Sequence, residues 1–314
     1  MKNKNSKVPP VKAPTLFALE EACAAPREGK IERPYRVPGI HVGTSAFTAK
    51  GWAGSFFPAG MRPAQYLSHY ATQFEAVEID STYYGTPSVS TVNNWYAKTP
   101  SDFIFAAKVP QVITHEKLLV DCEADLDEFI GRMNLLREKL GPLLLQFPFF
   151  NKYTFASAND FLPRLQLFLK RLKSYPGVKL ALEIRNKSWL DERFTDLLRE
   201  HNVALALTDQ SLMPRPTELF EKFDPITADF TYVRWLGDRK AIEEQTAMWD
   251  KTIIDRTVEI SEWVAILKRV IARGGLKAFA FANNHYAGHG PATVKLFRDR
   301  WNDELPPKFP APFA

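Results

Sequence analysis

Two carboxylates, Glu78 and Asp80, flank Ile79 in the segment AVEIDST. On a strand, side chains alternate, so both acids share one face while Val77 and Ile79 share the other. The pattern recurs along the chain. Lys108 stands next to last in FIFAAKV, Glu183 and Arg185 alternate in LALEIRN, and Arg234 stands in TYVRWLG with Tyr232 in phase. Asp209 closes VALALTD, and Asn283, Asn284 and His285 close KAFAFANNH. Thr44 and Ser45 end IHVGTS, Gln146 lies near the end of PLLLQFP, Tyr83 follows the acids, and His115 sits in ITHEK.

Acids and fixed cations gathered at one place suit acid–base chemistry, because neighbouring charges push carboxylate pKa values apart. Glu78 and Glu183 read as an acid–base pair. Lys108 reads as an electrostatic clamp, or as a nucleophile if desolvation lowers its pKa. Arg185 and Arg234 would bind substrate charge or stabilise an anionic transition state. Thr44, Asp80, Tyr83, His115, Gln146, Asp209, Asn283, Asn284 and His285 would contact substrate. The same residues also admit an architectural ion network, in which Glu78, Asp80, Glu183 and Asp209 neutralise Lys108, Arg185 and Arg234. Gly288 and Gly290 in NNHYAGHGPAT precede a helix start, a composition that can hold a phosphate on backbone N–H groups.

These residues need a scaffold that brings strand ends together. Eight short apolar runs, at 40–45, 76–82, 103–109, 142–148, 179–186, 203–209, 230–237 and 277–284, alternate with helical patterns. The helical stretches fall near 62–73, 88–98, 124–140, 158–173, 191–201, 255–273 and 291–301. In 124–140, Leu126, Phe129, Ile130, Met133, Leu136 and Leu140 recur at three- and four-residue spacing, as on a core-facing helix. Strands alternating with helices imply parallel pairing, and eight of them imply an α/β chain closed into a (β/α)8 TIM-type barrel. An open doubly wound sheet is the alternative, but GTSAFTAKGWAG after the first run lacks the G-x-G-x-x-G spacing. Pro214, Pro216 and Pro225 predict an irregular connection between strands six and seven.

The chain has 314 residues and 45% hydrophobic content, enough for one large core. Residues 1–37 hold eight Lys or Arg against four acids, so most of the net charge of +5 lies there. They read as a basic, proline-containing extension with a short helix near TLFALEEACAA; 38–304 reads as the barrel and 305–314 as a proline-rich tail. Because the body is nearly balanced, nucleic acid is the weaker partner and a small polar or anionic molecule the stronger. No run of eighteen apolar residues exists, so no membrane span is expected. Cys23 and Cys122 lack metal-type spacing and read as reduced thiols of a cytoplasmic protein.

The segments HVGTSAF, FEAVEIDSTYYGTPS, FIFAAKVPQVITH, LLLQFPF, LALEIRNKSW, YVRWLG and FANN, in that order, resemble the YecE-like family, domain of unknown function 72. The resemblance runs from about residue 40 to 300. It implies a TIM-type barrel and carries over Glu78, Lys108, His115, Glu183, Arg185, Arg234 and Asn284 as motif positions, but brings no activity. Asp80 stands where the family commonly has Asn, and Asn186 and Leu236 where it often has His.

Three functions follow from these residues. The first is a hydrolase, lyase or isomerase without a redox cofactor, acting on a small polar or anionic substrate. The second is a metal-dependent phosphodiesterase or repair-nuclease type, with Glu78, Glu183, Asp209 and His285 around a divalent ion. Three cations at the same mouth oppose it, and no H-x-H or H-E-x-x-H occurs. The third is a metabolite-binding protein without turnover.

Overall fold

The alternation of apolar runs and amphipathic stretches becomes a β/α barrel. The computed structural model describes residues 33–303. Its strands are β1 (Ile40–Thr44), β2 (Ala76–Ile79), β3 (Ile104–Lys108), β4 (Leu140–Gln146), β5 (Leu180–Glu183), β6 (Val203–Gln210), β7 (Phe230–Gly237) and β8 (Lys277–Ala282). All pairings are parallel, in the order β1-β8-β7-β6-β5-β4-β3-β2. The helices are α1 (Tyr66–Gln73), α2 (Val89–Ala97), α3 (Glu123–Met133), α4 (Ala158–Leu172), α5 (Glu192–Glu200), α6 (Pro216–Lys222), α7 (Arg239–Glu243), α8 (Thr257–Ala272), α9 (Asn284–Ala287) and α10 (Gly290–Asn302).

The departures from the sequence expectation have local causes. The helix expected over 124–140 stops at Met133, and a 3-10 turn follows in which Arg137 has φ 51°. That turn carries Lys139 inward, where its ammonium donates to the Tyr96 and Thr99 carbonyls and to Thr99 Oγ1. The connection between β6 and β7 is not wholly irregular, since it contains α6. Pro216 opens that helix, a position where its missing N–H costs nothing. The short α7 and α9 were not anticipated, and α9 removes Asn284 and His285 from the end of β8.

The barrel interior is lopsided. Strands β2 to β6 point small residues inward: Ala76, Ala106, Ala181, Ala204 and Ala206, with Leu144 as the larger exception. Strands β7 and β8 point Phe230, Tyr232, Phe279 and Phe281 inward. Large side chains from one side therefore fill space left by alanines on the other, and the interior is a packed core, not a pore. Above this layer the same alanine-lined side leaves room for the long Arg234 side chain.

The barrel closes without a hydrogen-bonded ladder between β1 and β2. Tyr70 of α1 takes its place. Its buried hydroxyl accepts from the Thr44 N–H at 2.8 Å and donates to the Ala76 carbonyl at 3.1 Å. Gly43 permits this approach, because a Cβ there would stand 1.9 Å from the Ala76 oxygen.

Residues 33–37 dock on the N-terminal end of the barrel. The Arg33 guanidinium makes two 2.7 Å bonds to Asp102 and a third to the Ala71 carbonyl, and Arg36 pairs with Glu75. The expected helix near 15–25, Cys23 and the tail lie outside the described residues. Cys122 is a buried free thiol. No described helix is long and apolar enough to cross a membrane.

Two outcomes follow from this architecture. Tyr70→Phe leaves the Thr44 N–H and Ala76 carbonyl buried and unpaired, and thermal or urea unfolding should show a loss of about 1–3 kcal/mol. His41, stacked on Phe279 inside the barrel, has Nδ1 buried without a partner among the described residues. Burial, with Lys277, Arg36 and Arg33 nearby, lowers its pKa to about 4. Its folded value lies below the unfolded one, so its contribution is present above about pH 6.5 and is lost as pH falls toward 4. Melting curves across that window should show His41→Phe falling less steeply than the wild type, by on the order of 3 kcal/mol; identical slopes would rule out the account.

Candidate functional site

The acids and cations singled out from strand alternation form two tiers at the C-terminal end of the barrel. The lower tier centres on Arg234. Its Nη2 and Nε lie 2.7 and 3.1 Å from Glu78 Oε1, and its Nη1 lies 2.6 Å from Glu183 Oε2. Nη2 also reaches Asp80 Oδ1 at 3.2 Å. Tyr232 donates to the second oxygen of Glu78 at 2.5 Å, and Arg185 bonds the second oxygen of Glu183 at 3.1 Å. Every carboxylate oxygen of Glu78 and Glu183 is thus occupied. The side chains of Glu78 and Glu183 are 0% exposed and that of Arg234 is 2% exposed. The acid–base pair expected to meet substrate is enclosed beneath the surface.

The upper tier is open. Arg185 and Asp80 side chains are 39% and 33% exposed, and that of Lys108 is 13% exposed. Lys108 Nζ lies 3.9 Å from Asp80 Oδ1 and 4.6 Å from the centre of the Tyr83 ring. His115 meets the same ring edge-on, with centroids 5.0 Å apart. A π-helical turn over Val112–Glu116 delivers His115, and Leu118, Leu119 and Asp121 beyond it all have positive φ. Such turns and strained residues are concentrated at functional sites, because only surrounding structure holds them in place. Gln146 is buried beside Glu183 in the sheet register, and its amide donates to the Phe147 carbonyl.

Charge placement sets the protonation preferences. Burial dominates at Glu78 and raises its pKa against the pull of Arg234. Burial acts the same way on Glu183, but Arg234, Arg185 and Lys108 outweigh it and hold that carboxyl below its usual value. Burial and then Arg234 lower the Lys108 ammonium. Burial, Lys108 and Arg185 lower His115 to about 4, so its imidazole is neutral at physiological pH.

Several expected site residues lie elsewhere. Thr44 faces outward, bonded to Tyr70 and to the Ala46 carbonyl. Asp209 also faces outward, accepting from Trp263 Nε1 and the Tyr286 hydroxyl on the helical layer. In both strands the in-phase residue is the neighbour: Ser45 continues β1, and Thr208 precedes Asp209 on β6. Ser45 is 4% exposed, and its hydroxyl has no partner among the described residues. Gln210 donates to Thr208 Oγ1. Because both faces of β1 and β6 are buried, their sequences carry no phase to read, and a one-residue slip changes face.

The loop after β8 is organised around itself. Asn283 accepts from the His285 N–H, and the His285 ring bridges Asn283 and Glu243 of α7. Asn284 Oδ1 accepts from Trp52 Nε1 and from the Gly290 N–H. The Gly288 N–H donates to the Asn284 carbonyl, and a Cβ at Gly288 would strike Ile253. The N–H groups proposed to cradle a phosphate are therefore used within the loop. The metal alternative meets a similar obstacle: Asp209 and His285 point away from Glu78 and Glu183. Among the described residues no group of three His, Cys, Asp or Glu is placed to hold an ion.

A model of the family described as "Protein of unknown function DUF72" matches residues 41–312. UPF0759 protein YecE of Escherichia coli (strain K12) is 37% identical over 82 residues, 26% of this chain and 30% of YecE. UPF0759 protein YunF of Bacillus subtilis (strain 168) is 28% identical over 153 residues, 46% of this chain and 51% of YunF. The chain thus spans about half or less of the length of these curated relatives. The crystal structure of a DUF72 family protein from Thermotoga maritima MSB8 is similar with a TM-score of 0.65 and 27% identity, covering 84% of this chain and 99% of that one. A DUF72 family protein from Enterococcus faecalis V583 shares the fold at a TM-score of 0.62 and 20% identity, covering 88% and 100%. With a family match over nearly all of the barrel and a relative of the same fold matched end to end, the chain belongs to the DUF72 family.

Proposed function

We propose that the barrel mouth binds a small anionic molecule between Lys108 and Arg185 and carries out acid–base chemistry on it. The observation that carries this reading is the vertical separation of charge. Two acids and one cation, Glu78, Glu183 and Arg234, are sealed below; two cations and one acid, Lys108, Arg185 and Asp80, face the opening. An anion arriving from solvent meets the positive tier, while the carboxylates of the lower tier are enclosed and hydrogen-bonded by Arg234. Asp80 and neutral His115 are the groups placed to move protons. Glu78 and Glu183 act through Arg234 and Arg185, whose guanidinium groups they hold in position. The divalent-ion reading loses support because its ligand set does not converge.

The tiers should separate in mutagenesis. Arg234→Met leaves two buried carboxylates without their counter-ion and should cost about 3–5 kcal/mol in urea unfolding. Arg185→Met removes a half-exposed cation but leaves the buried Glu183 Oε1 unpaired, and should cost about 1–3 kcal/mol, less than Arg234→Met. In a thermal-shift series with inorganic phosphate, pyruvate and succinate, at least one anion should raise the wild-type melting temperature. At a hundred times its Kd the gain corresponds to about 2.7 kcal/mol. Arg185→Met should lose that response. A variant that responds like the wild type, or a wild type that no anion stabilises, would sink the reading.

A further inference from the structure

We propose that Lys108 is a nucleophile that forms a Schiff base with a small anionic carbonyl compound, either a keto acid or a phosphorylated ketone. The inference rests on the anion-binding reading of the mouth and adds the carbonyl group to it.

Among the described residues, Lys108 and Lys139 turn inward, and their surroundings differ. Lys139 is fully buried, and its ammonium donates to two carbonyls and a hydroxyl at 2.6, 2.7 and 3.3 Å. All three protons are spoken for, so that lysine is a structural donor. Lys108 Nζ has no hydrogen bond among the described residues; its neighbours are the Asp80 oxygen at 3.9 Å and the Tyr83 ring face. A lysine serving only as an ion-pair partner would close on a carboxylate, as Lys117 does on Asp125 at 2.6 Å. Here Asp80 is instead drawn to Arg234 at 3.2 Å. The amine therefore stands at the edge of the opening, in a long ion pair with an acid but not hydrogen-bonded to it. Burial and then Arg234 disfavour its charged form, which eases release of the nitrogen lone pair.

The chemistry balances with groups at hand. The Lys108 ammonium gives a proton to Asp80, and the free amine attacks the carbonyl carbon. The C=O π pair moves to oxygen, which takes a proton from the attacking nitrogen to give a carbinolamine. Asp80 returns its proton to the hydroxyl, the C–O bond breaks, and water leaves as the nitrogen lone pair forms the C=N bond. One carbonyl compound and one ammonium yield one protonated imine and one water, with no redox change. Arg185 is the cation positioned for the carboxylate or phosphate of the compound.

The test is reductive trapping on the full chain at neutral pH. Pyruvate and dihydroxyacetone phosphate are supplied separately with sodium cyanoborohydride, and labelled peptides are mapped by mass spectrometry. With at least one of the two, the peptide bearing Lys108 should be labelled roughly tenfold faster than exposed lysines such as Lys187. Lys108→Arg, which keeps the charge and removes the nucleophile, should show no adduct at that peptide while melting like the wild type. Labelling no faster than at surface lysines with both compounds overturns the proposal. If the same compounds still raise the melting temperature, Lys108 is an anion clamp and the reading of the mouth survives; if they do not, both fall.

Discussion

The site depends on one guanidinium buried among carboxylates from two other strands. Arg234 is almost fully enclosed, and an arginine cannot shed its charge, so it needs counter-ions at hydrogen-bonding distance. Glu78 and Glu183 supply them, and Tyr232 satisfies the oxygen of Glu78 that Arg234 leaves free. Because β2, β5 and β7 all contribute, this cluster ties together strands that share no ladder. The lopsided interior makes it feasible: alanines on β2, β3, β5 and β6 leave the volume that the Arg234 side chain and its partners occupy.

The cluster also explains why the open tier is electropositive. Arg234 uses up Glu78 and Glu183 and attracts Asp80, so Lys108 is left without a close carboxylate and Arg185 keeps one flank toward solvent. A fully satisfied network below thus produces an unsatisfied one above. The strained loop after β3 reinforces this, because it folds neutral His115 over Tyr83 and next to both cations. A residue need not touch a ligand to shape the mouth: Glu78 and Glu183 contribute through the geometry they impose on their partners.

Much of the fold was legible before any coordinates. The eight strands and the helices between them follow from apolar periodicity, which burial against a single core enforces. The inward set on β2, β3, β5 and β7 was legible too, because charged residues alternate there with apolar ones and so mark the phase. Strands β1 and β6 carry no such mark, so choosing Thr44 rather than its neighbour Ser45, and Asp209 rather than Thr208, picks the outward face. The loop after β8 was misread for a different reason. Glycines before a helix resemble a phosphate cradle, but Asn284 already takes the N–H of Gly290, and the chain near Ile253 fills the space over Gly288.

By itself the sequence determined the barrel and the identity of its inward charges, because both are consequences of local alternation repeated along the chain. Only the tertiary structure decided which charges are sealed and which face solvent. That outcome depends on depth within the barrel and on which partners Arg234 captures, and these lie 51 and 156 residues away along the chain. Spacing along the chain carries no information about either.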